Sequence, residues 1–133
     1  MKGIEYSELH AIAHFSDSIM LKQSGRNSFI HDIPNQQDFD MANLGFNESR
    51  VGIQSGKYDI VILDEANVAI HFQLFPVQKL LTLMAEKPAH VELLITGRYA
   101  SPQVIEKADL VTDMFEVKHY YQKGITTGKG IES

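Results

Sequence analysis

The sequence predicts an α/β fold, in which a mainly parallel sheet lies between two layers of helices. Two observations support this prediction: short continuous apolar runs that suit buried strands, and helical patterns that alternate with them. The chain has 133 residues, of which 44% are hydrophobic and 22% charged, as in an ordinary globular domain. We therefore expect residues 1–133 to form one three-layer α/β/α domain.

The first part of the chain predicts two helices separated by a loop. Apolar residues recur at helical spacing within residues 6–15, which indicates a short amphipathic helix. Residues 22–36 are rich in Gly, Asn, Ser and Pro and predict a long loop. A second helical pattern follows Asn35 and is expected to end near Gly56.

The second part of the chain predicts three strands that alternate with helices. Ile60–Leu63 is a continuous apolar run of the kind found in strands that are covered on both faces. A helix is predicted from Pro76, a second strand at Val91–Ile95, a short helix from Pro102 and a third strand at Leu110–Thr112. This order favours parallel strands joined by helical crossovers.

Composition excludes several classes of function. The net charge of −5 argues against a nucleic-acid partner, because tracking phosphates needs a basic surface. The absence of cysteine excludes disulfides, thiolate metal sites and a cysteine nucleophile. No apolar stretch approaches the roughly 20 residues of a membrane span, and no signal peptide is apparent at Met1. We expect a cytoplasmic protein without membrane contact.

Two carboxylates, Asp64 and Glu65, directly follow the first predicted strand. Open α/β sheets bind ligands at the carboxyl ends of their strands, and Mg²⁺ prefers oxygen ligands, so this pair is a candidate metal site. The alternative is an acid that caps or forms a salt bridge. Arg98 follows the second strand at the same edge, where it could neutralise a phosphate or form a surface salt bridge.

The Gly-rich phosphate loop that usually accompanies such an acidic strand does not occur in the sequence. That loop needs Gly-x-x-x-x-Gly-Lys-[Ser/Thr] between a strand and a helix. Gly52–Tyr58 is one residue short, lacks the hydroxyl and leads into a strand. Gly124–Gly130 is also one residue short, with neither the strand before it nor the helix after it.

Four ordered segments resemble one enzyme family. Residues 58–70 (YDIVILDEANVAI), 87–100 (KPAHVELLITGRYA), 108–114 (ADLVTDM) and 117–132 (VKH…KG…GIE) look like the ATP:corrinoid adenosyltransferases of the P-loop type. The resemblance implies a P-loop NTPase-like (RecA-like) fold whose first strand and phosphate loop would precede Met1. It also implies that the strand at Ile60–Leu63 is left with an open apolar edge.

The resemblance implies an activity and a set of ligands. Members of this family transfer the 5′-deoxyadenosyl group of ATP to the cobalt of a reduced corrinoid and release tripolyphosphate, in cobalamin biosynthesis or salvage. ATP, Mg²⁺ and a corrinoid are thus the expected ligands, a homodimer is the expected assembly, and an electron-donating reductase is a candidate partner. Two alternatives stay open: a non-catalytic domain that binds a corrinoid or nucleotide, and another α/β ATP-binding domain.

The resemblance also assigns roles to individual residues. Asp64 and Glu65 would serve Mg²⁺ and, with Arg98, catalysis. In the family, aromatic side chains in the loop after Gly25 exclude the lower axial ligand of the corrinoid, and Phe29 is the aromatic residue in that loop. The other residues assigned to cofactor binding are Arg26, Asn67, Lys118 and His119. The last two lie in the tail, residues 117–133, which is either a mobile end or a flap that faces an anion.

Overall fold

The computed structural model describes residues 7–25 and 33–124. Within these ranges the chain divides into two units: a larger one of residues 23–25 and 33–110, and a smaller one of residues 7–22 and 111–124. The smaller unit contains helix α1 (Ser7–Ala13) and a 3₁₀ turn at Tyr120–Lys123. The expectation of a single domain over the whole chain stays a prediction.

Helix α2 (Gln36–Gln54) begins at a reciprocal cap. The side-chain oxygen of Asn35 accepts a hydrogen bond from the Asp38 backbone N–H at 3.2 Å, and the Asp38 carboxylate accepts one from the Asn35 N–H at 2.9 Å. Such a capping box satisfies two backbone donors that the first turn of a helix leaves unpaired. The observed span of α2 confirms the predicted start after Asn35 and the predicted end near Gly56.

The larger unit contains a parallel pair of strands, β1 (Ile60–Leu63) and β2 (Glu92–Ile95). Their register pairs Ile60 with Glu92 and Leu63 with Ile95. The connection between them contains helices α3 (Ala66–His71) and α4 (Val77–Glu86), and α5 (Pro102–Lys107) follows β2. The parallel pairing confirms the α/β class, while its three-layer, phosphate-loop form stays a prediction.

One hydrophobic cluster lies against one face of this sheet. The strand side chains Val61, Leu63, Leu93 and Ile95 are partly buried and pack against it. Helices α2, α4 and α5, together with the segments before α4 and β2, supply its buried members: Phe46, Ile53, Leu74, Phe75, Leu80, Leu83, Val91 and Val104. This cluster fixes the two strands relative to the helices behind them.

The other face of the sheet is exposed, so the prediction that β1 is covered on both faces was wrong. Ile60 and Ile62 are 58% and 59% exposed, and Leu94, which pairs with Ile62, is 45% exposed. An apolar run shows that a strand suits burial, but it does not show how many layers cover it. Within the described residues, β2 is the one strand that pairs with β1.

The third predicted strand, Leu110–Thr112, was also wrong, because the structure has no strand there. Leu110 is 85% exposed and Val111 is 52% exposed. A preference for strand structure depends on packing and pairing with neighbours, and among the described residues this segment pairs with no strand. Helices with the length and hydrophobicity of a membrane span do not occur in residues 7–25 and 33–124.

Candidate functional site

The carboxyl ends of β1 and β2 meet at one edge of the sheet. Asp64 and Glu65 follow β1, and Thr96, Gly97 and Arg98 follow β2. Because Leu63 pairs with Ile95, the next residue of each chain segment, Asp64 and Thr96, are also neighbours. The Thr96 backbone N–H continues the ladder by donating to the Leu63 carbonyl at 3.1 Å. The structure thus brings the two predicted segments together.

The Thr96 hydroxyl links both acidic residues to β2. It donates to the Asp64 carboxylate at 2.6 Å and accepts from the Glu65 backbone N–H at 3.1 Å. Asp64 is exposed, and its second carboxylate oxygen makes no hydrogen bond within the described residues. The Thr96 hydroxyl therefore orients the Asp64 carboxylate through one oxygen. The other oxygen accepts no hydrogen bond from the described residues.

Asn67 connects α3 to the turn after β2. Its backbone N–H donates to the Thr96 carbonyl at 3.2 Å, and its side-chain N–H donates to the Gly97 carbonyl at 3.3 Å. The residue is only 6% exposed, and its Oδ1 atom has no hydrogen-bond partner within the described residues. Buried amide oxygens are usually paired, so the unpaired Asn67 Oδ1 is an exception among the described residues.

Gly97 is required where the two segments approach each other. Its φ is +117°, and a Cβ atom placed on it would lie 3.1 Å from the Glu65 Cα and 3.3 Å from the Asn67 Cβ. Glu65 itself is left-handed, with a φ of 59°. A side chain at position 97 would therefore push the acidic turn away from β2.

Arg98 is exposed and has no ion pair within the described residues. Its guanidinium carbon lies 5.7 Å from the ring centroid of Tyr99. The ring of Tyr99 in turn stacks on His71, the last residue of α3, with a centroid separation of 4.3 Å. Within the described residues, Arg98 thus makes an aromatic contact and not the surface salt bridge that the sequence left open.

The donor set at this edge fits Mg²⁺ better than a transition metal. Asp64 and Glu65 offer hard oxygen ligands, and Mg²⁺ commonly binds one or two carboxylates while water and phosphate complete its shell. In the part of the chain that the structure describes, no group of three or more His, Asp or Glu side chains could hold a metal ion. Asp64 and Glu65 alone would leave most of the coordination shell of a metal ion to water or phosphate.

The remaining predicted binding residues lie in the smaller unit or outside the described residues. Lys118 is exposed and lies in the smaller unit, where the His119 ring is 4.7 Å from the Tyr120 ring. Arg26 and Phe29 lie outside the described residues. The roles of all four residues stay predictions.

Sequence reasoning missed Thr96, His71 and Tyr99 as parts of the site. Thr96 could have been found from register, since it follows β2 as Asp64 follows β1. The sequence gives no comparable indication of the contact between His71 and Tyr99. This contact depends on where α3 ends and on the left-handed backbone of Tyr99. These residues determine how the predicted acids and the arginine are held.

The fold and site define an α/β protein with an acidic turn after one strand and an arginine after the neighbouring strand. Comparison with known proteins then gives the family. The model of the family "ATP:corrinoid adenosyltransferase BtuR/CobO/CobP" matches residues 1–133. The chain belongs to this family.

Relatives of known sequence agree with this assignment. A Corrinoid adenosyltransferase of Sinorhizobium sp. is 31% identical over 120 residues, which are 90% of this chain and 56% of the relative. The Corrinoid adenosyltransferase of Pseudomonas aeruginosa is 40% identical over 73 residues, 55% of this chain and 36% of the relative. An uncharacterized protein of Nostoc sp., all2391, is 29% identical over 98% of this chain and 36% of its own length. The chain thus spans between 36% and 56% of the length of these relatives.

Proposed function

We propose that this chain takes part in the transfer of the 5′-deoxyadenosyl group of ATP to the cobalt of a reduced corrinoid. The observation that carries the proposal is the sheet edge, where Asp64 and Glu65 are tied through Thr96 to the strand that precedes Arg98. An acidic strand end at the same sheet edge as an arginine suits a metal-bound polyphosphate. Membership of the corrinoid adenosyltransferase family indicates which polyphosphate reaction this is.

The proposed reaction is a nucleophilic displacement at the ribose 5′-carbon. The Co(I) centre of the substrate donates an electron pair to C5′, and a cobalt–carbon bond forms. The bond between C5′ and the phosphate oxygen breaks, and its electron pair leaves with tripolyphosphate. An electron donor must first reduce the corrinoid, so an electron-donating reductase is part of the proposal, as is a homodimeric assembly.

The protein's part in this reaction is orientation and charge stabilisation. Asp64 and Glu65 would hold Mg²⁺, which when bound neutralises charge on the departing phosphates. Arg98, whose planar guanidinium matches two phosphate oxygens, would stabilise the same charge from the other strand end. Thr96 keeps the Asp64 carboxylate in one orientation, so that the site needs little rearrangement when the ligand arrives.

A chimera tests whether this chain can supply such a site. In the chimera, the 120 residues of the Sinorhizobium relative that match this chain are replaced by the corresponding residues of this chain. The unaltered relative is the positive control. The assay is anaerobic, with Mg-ATP and chemically reduced corrinoid, and follows the cobalt absorption spectrum. We expect turnover by the chimera, and an Asp64→Asn variant that loses about 10²-fold or more in kcat.

The matched control is Asp59→Asn, the same change at an exposed acid just before the amino end of β1. Asp59→Asn is expected to leave turnover unchanged. In Asp64→Asn the new amide oxygen can still accept the hydrogen bond from the Thr96 hydroxyl. A loss of activity would therefore result from loss of the carboxylate charge and not from loss of the fold. Equal activity of the Asp64→Asn and parent chimeras would refute the role of Asp64.

A second function is favoured by one sequence observation, the absence of a Gly-x-x-x-x-Gly-Lys-[Ser/Thr] loop from the 133 residues. This function is binding of a corrinoid or nucleotide without catalysis. Corrinoid affinity of the 133-residue chain, together with an inactive chimera, would favour it. Binding of ATP without binding of corrinoids would instead favour an unrelated ATP-dependent role.

A further inference from the structure

Left-handed backbone is concentrated around helix α3. Within residues 7–25 and 33–124, the non-glycine residues with positive φ are Glu65 at 59°, Gln73 at 56° and Tyr99 at 63°. Glu65 precedes α3, Gln73 follows it, and Tyr99 contacts its last residue. Non-glycine residues in this conformation are strained, and such strain is concentrated at functional sites. All three residues therefore lie beside α3 or in contact with it.

Helix α3 is attached to the turn after β2 at two points. Asn67 donates its side-chain N–H to the Gly97 carbonyl, and His71, four residues further along α3, stacks on Tyr99. Residues four apart lie on the same face of a helix. The planes of the His71 and Tyr99 rings are 26° apart, and His71 also meets the edge of Phe72 at a centroid distance of 5.4 Å. Residues 97–99 are thus held against one face of α3.

Arg98 lies between these two attachments. Its guanidinium carbon is 5.7 Å from the Tyr99 ring centroid, within the range of a cation–π contact. An arginine without an ion pair has many side-chain rotamers, and ordering them on binding costs free energy. Contact with a ring that is itself stacked on His71 limits those rotamers before any ligand arrives, although both rings are exposed.

We propose that Tyr99 and His71 are positioning residues, an aromatic pair that orders the Arg98 guanidinium for an anionic phosphate ligand. The proposal rests on the function proposed above, which gives Arg98 its phosphate contact. Tyr99 acts through Arg98, and His71 acts through Tyr99. Neither ring is required to touch the ligand.

The test combines a measurement on the free protein with a binding measurement on the same 133-residue chain. The order of the Arg98 side chain is measured by ¹⁵N relaxation of its Nε–H group. Affinity for Mg-tripolyphosphate and for Mg-ATP is measured by calorimetry. Tyr99→Leu removes the ring and leaves another non-glycine side chain on the left-handed backbone, whereas Tyr99→Phe keeps the ring.

We expect Tyr99→Leu and His71→Ala to increase the mobility of the Arg98 side chain and to weaken tripolyphosphate binding by about two- to fivefold. Tyr99→Phe should retain the order and the affinity of the unaltered chain. In an Arg98→Ala background, Tyr99→Leu should cause no further loss of affinity, because its effect passes through the guanidinium. A purely structural role of Tyr99 would lower affinity equally in both backgrounds.

Failure of this inference can be distinguished from failure of the proposed function. If the unaltered chain binds tripolyphosphate but Tyr99→Leu binds it as tightly, the inference is overturned and the function stands. If the Arg98 side chain is as mobile in the unaltered chain as in Tyr99→Leu, the inference is overturned whatever the affinity. If the unaltered chain binds neither ligand while Arg98 is ordered by Tyr99, the positioning is supported and the proposed phosphate contact fails.

Discussion

Replacing Gly97 by alanine should destabilise the protein more than any ordinary surface substitution. Gly97 has a φ of +117°, a region that side chains rarely adopt. The added Cβ atom would lie 3.1 Å from the Glu65 Cα and 3.3 Å from the Val68 backbone nitrogen. Two of its nearest neighbours are therefore backbone atoms, which cannot turn aside as the end of a flexible side chain can.

Two effects set the magnitude. A side chain forced into a sparsely populated backbone region costs about 1–3 kcal/mol. Overpacking a well-packed contact costs about 1–3 kcal/mol more. We therefore expect Gly97→Ala to lower the free energy of unfolding by at least about 2 kcal/mol, which for a chain of this size lowers Tm by roughly 6 °C or more.

Urea denaturation, monitored by circular dichroism, measures this change in the free energy of unfolding. An unchanged dependence of that free energy on urea concentration would show that the variant and the parent expose similar surface on unfolding. The matched control is Gly52→Ala, the same substitution within helix α2, where the added atom would meet only the Tyr58 ring at 3.6 Å. Alanine in a helix interior is favoured over glycine by about 1 kcal/mol, so the control should stabilise the protein. A Gly97→Ala variant within about 0.5 kcal/mol of the parent would refute the close approach of the two segments.

Two further predictions concern the cap of α2 and the exposed face of the sheet. Asn35→Ala removes the acceptor for the Asp38 N–H and should lower the free energy of unfolding by about 1 kcal/mol in the same urea assay, whereas Asn35→Asp keeps the acceptor and most of the stability. An unchanged midpoint for Asn35→Ala would contradict the capping box. The exposed Ile60 and Ile62 predict self-association, which Ile62→Thr should weaken in sedimentation equilibrium. A monomeric parent chain with a sharp, cooperative thermal transition at low concentration would contradict this prediction.

Elements with a local signal could be predicted from the sequence. Helix α2 has a capping residue, Asn35, and a long helical period, and β1 and β2 are rich in branched apolar side chains. Helix α3 was missed because its six residues, Ala66–His71, are too few for a period to be evident. The expected strand at Leu110–Thr112 has the right composition, but it pairs with no strand among the described residues. The amino-acid composition of a segment thus predicts a strand correctly only where a neighbouring strand is present to pair with it.

The candidate site shows the same division between local and tertiary information. Asp64 and Arg98 could be placed at one edge because each follows a predicted strand, and parallel strands end at the same edge. The link through Thr96 depends on the one-to-one register of β1 and β2, which composition does not specify. The contact of Tyr99 with His71 depends on a left-handed backbone, which a tyrosine rarely adopts. Partners of the predicted residues therefore required the structure.

The hydrogen bonds at this edge imply that β2, rather than the acidic turn, determines the geometry of the whole site. Thr96 uses one hydroxyl to bond both the Asp64 carboxylate and the Glu65 backbone, and Arg98 follows it by only two residues. Any shift of the end of β2 would therefore move the acidic turn and Arg98 together. Substitution of Asp64, by contrast, removes one carboxylate and leaves the Glu65 N–H to Thr96 bond in place. Under the proposed function, changes after β2 should thus alter both affinity and turnover, whereas changes at Asp64 should act mainly through the proposed metal.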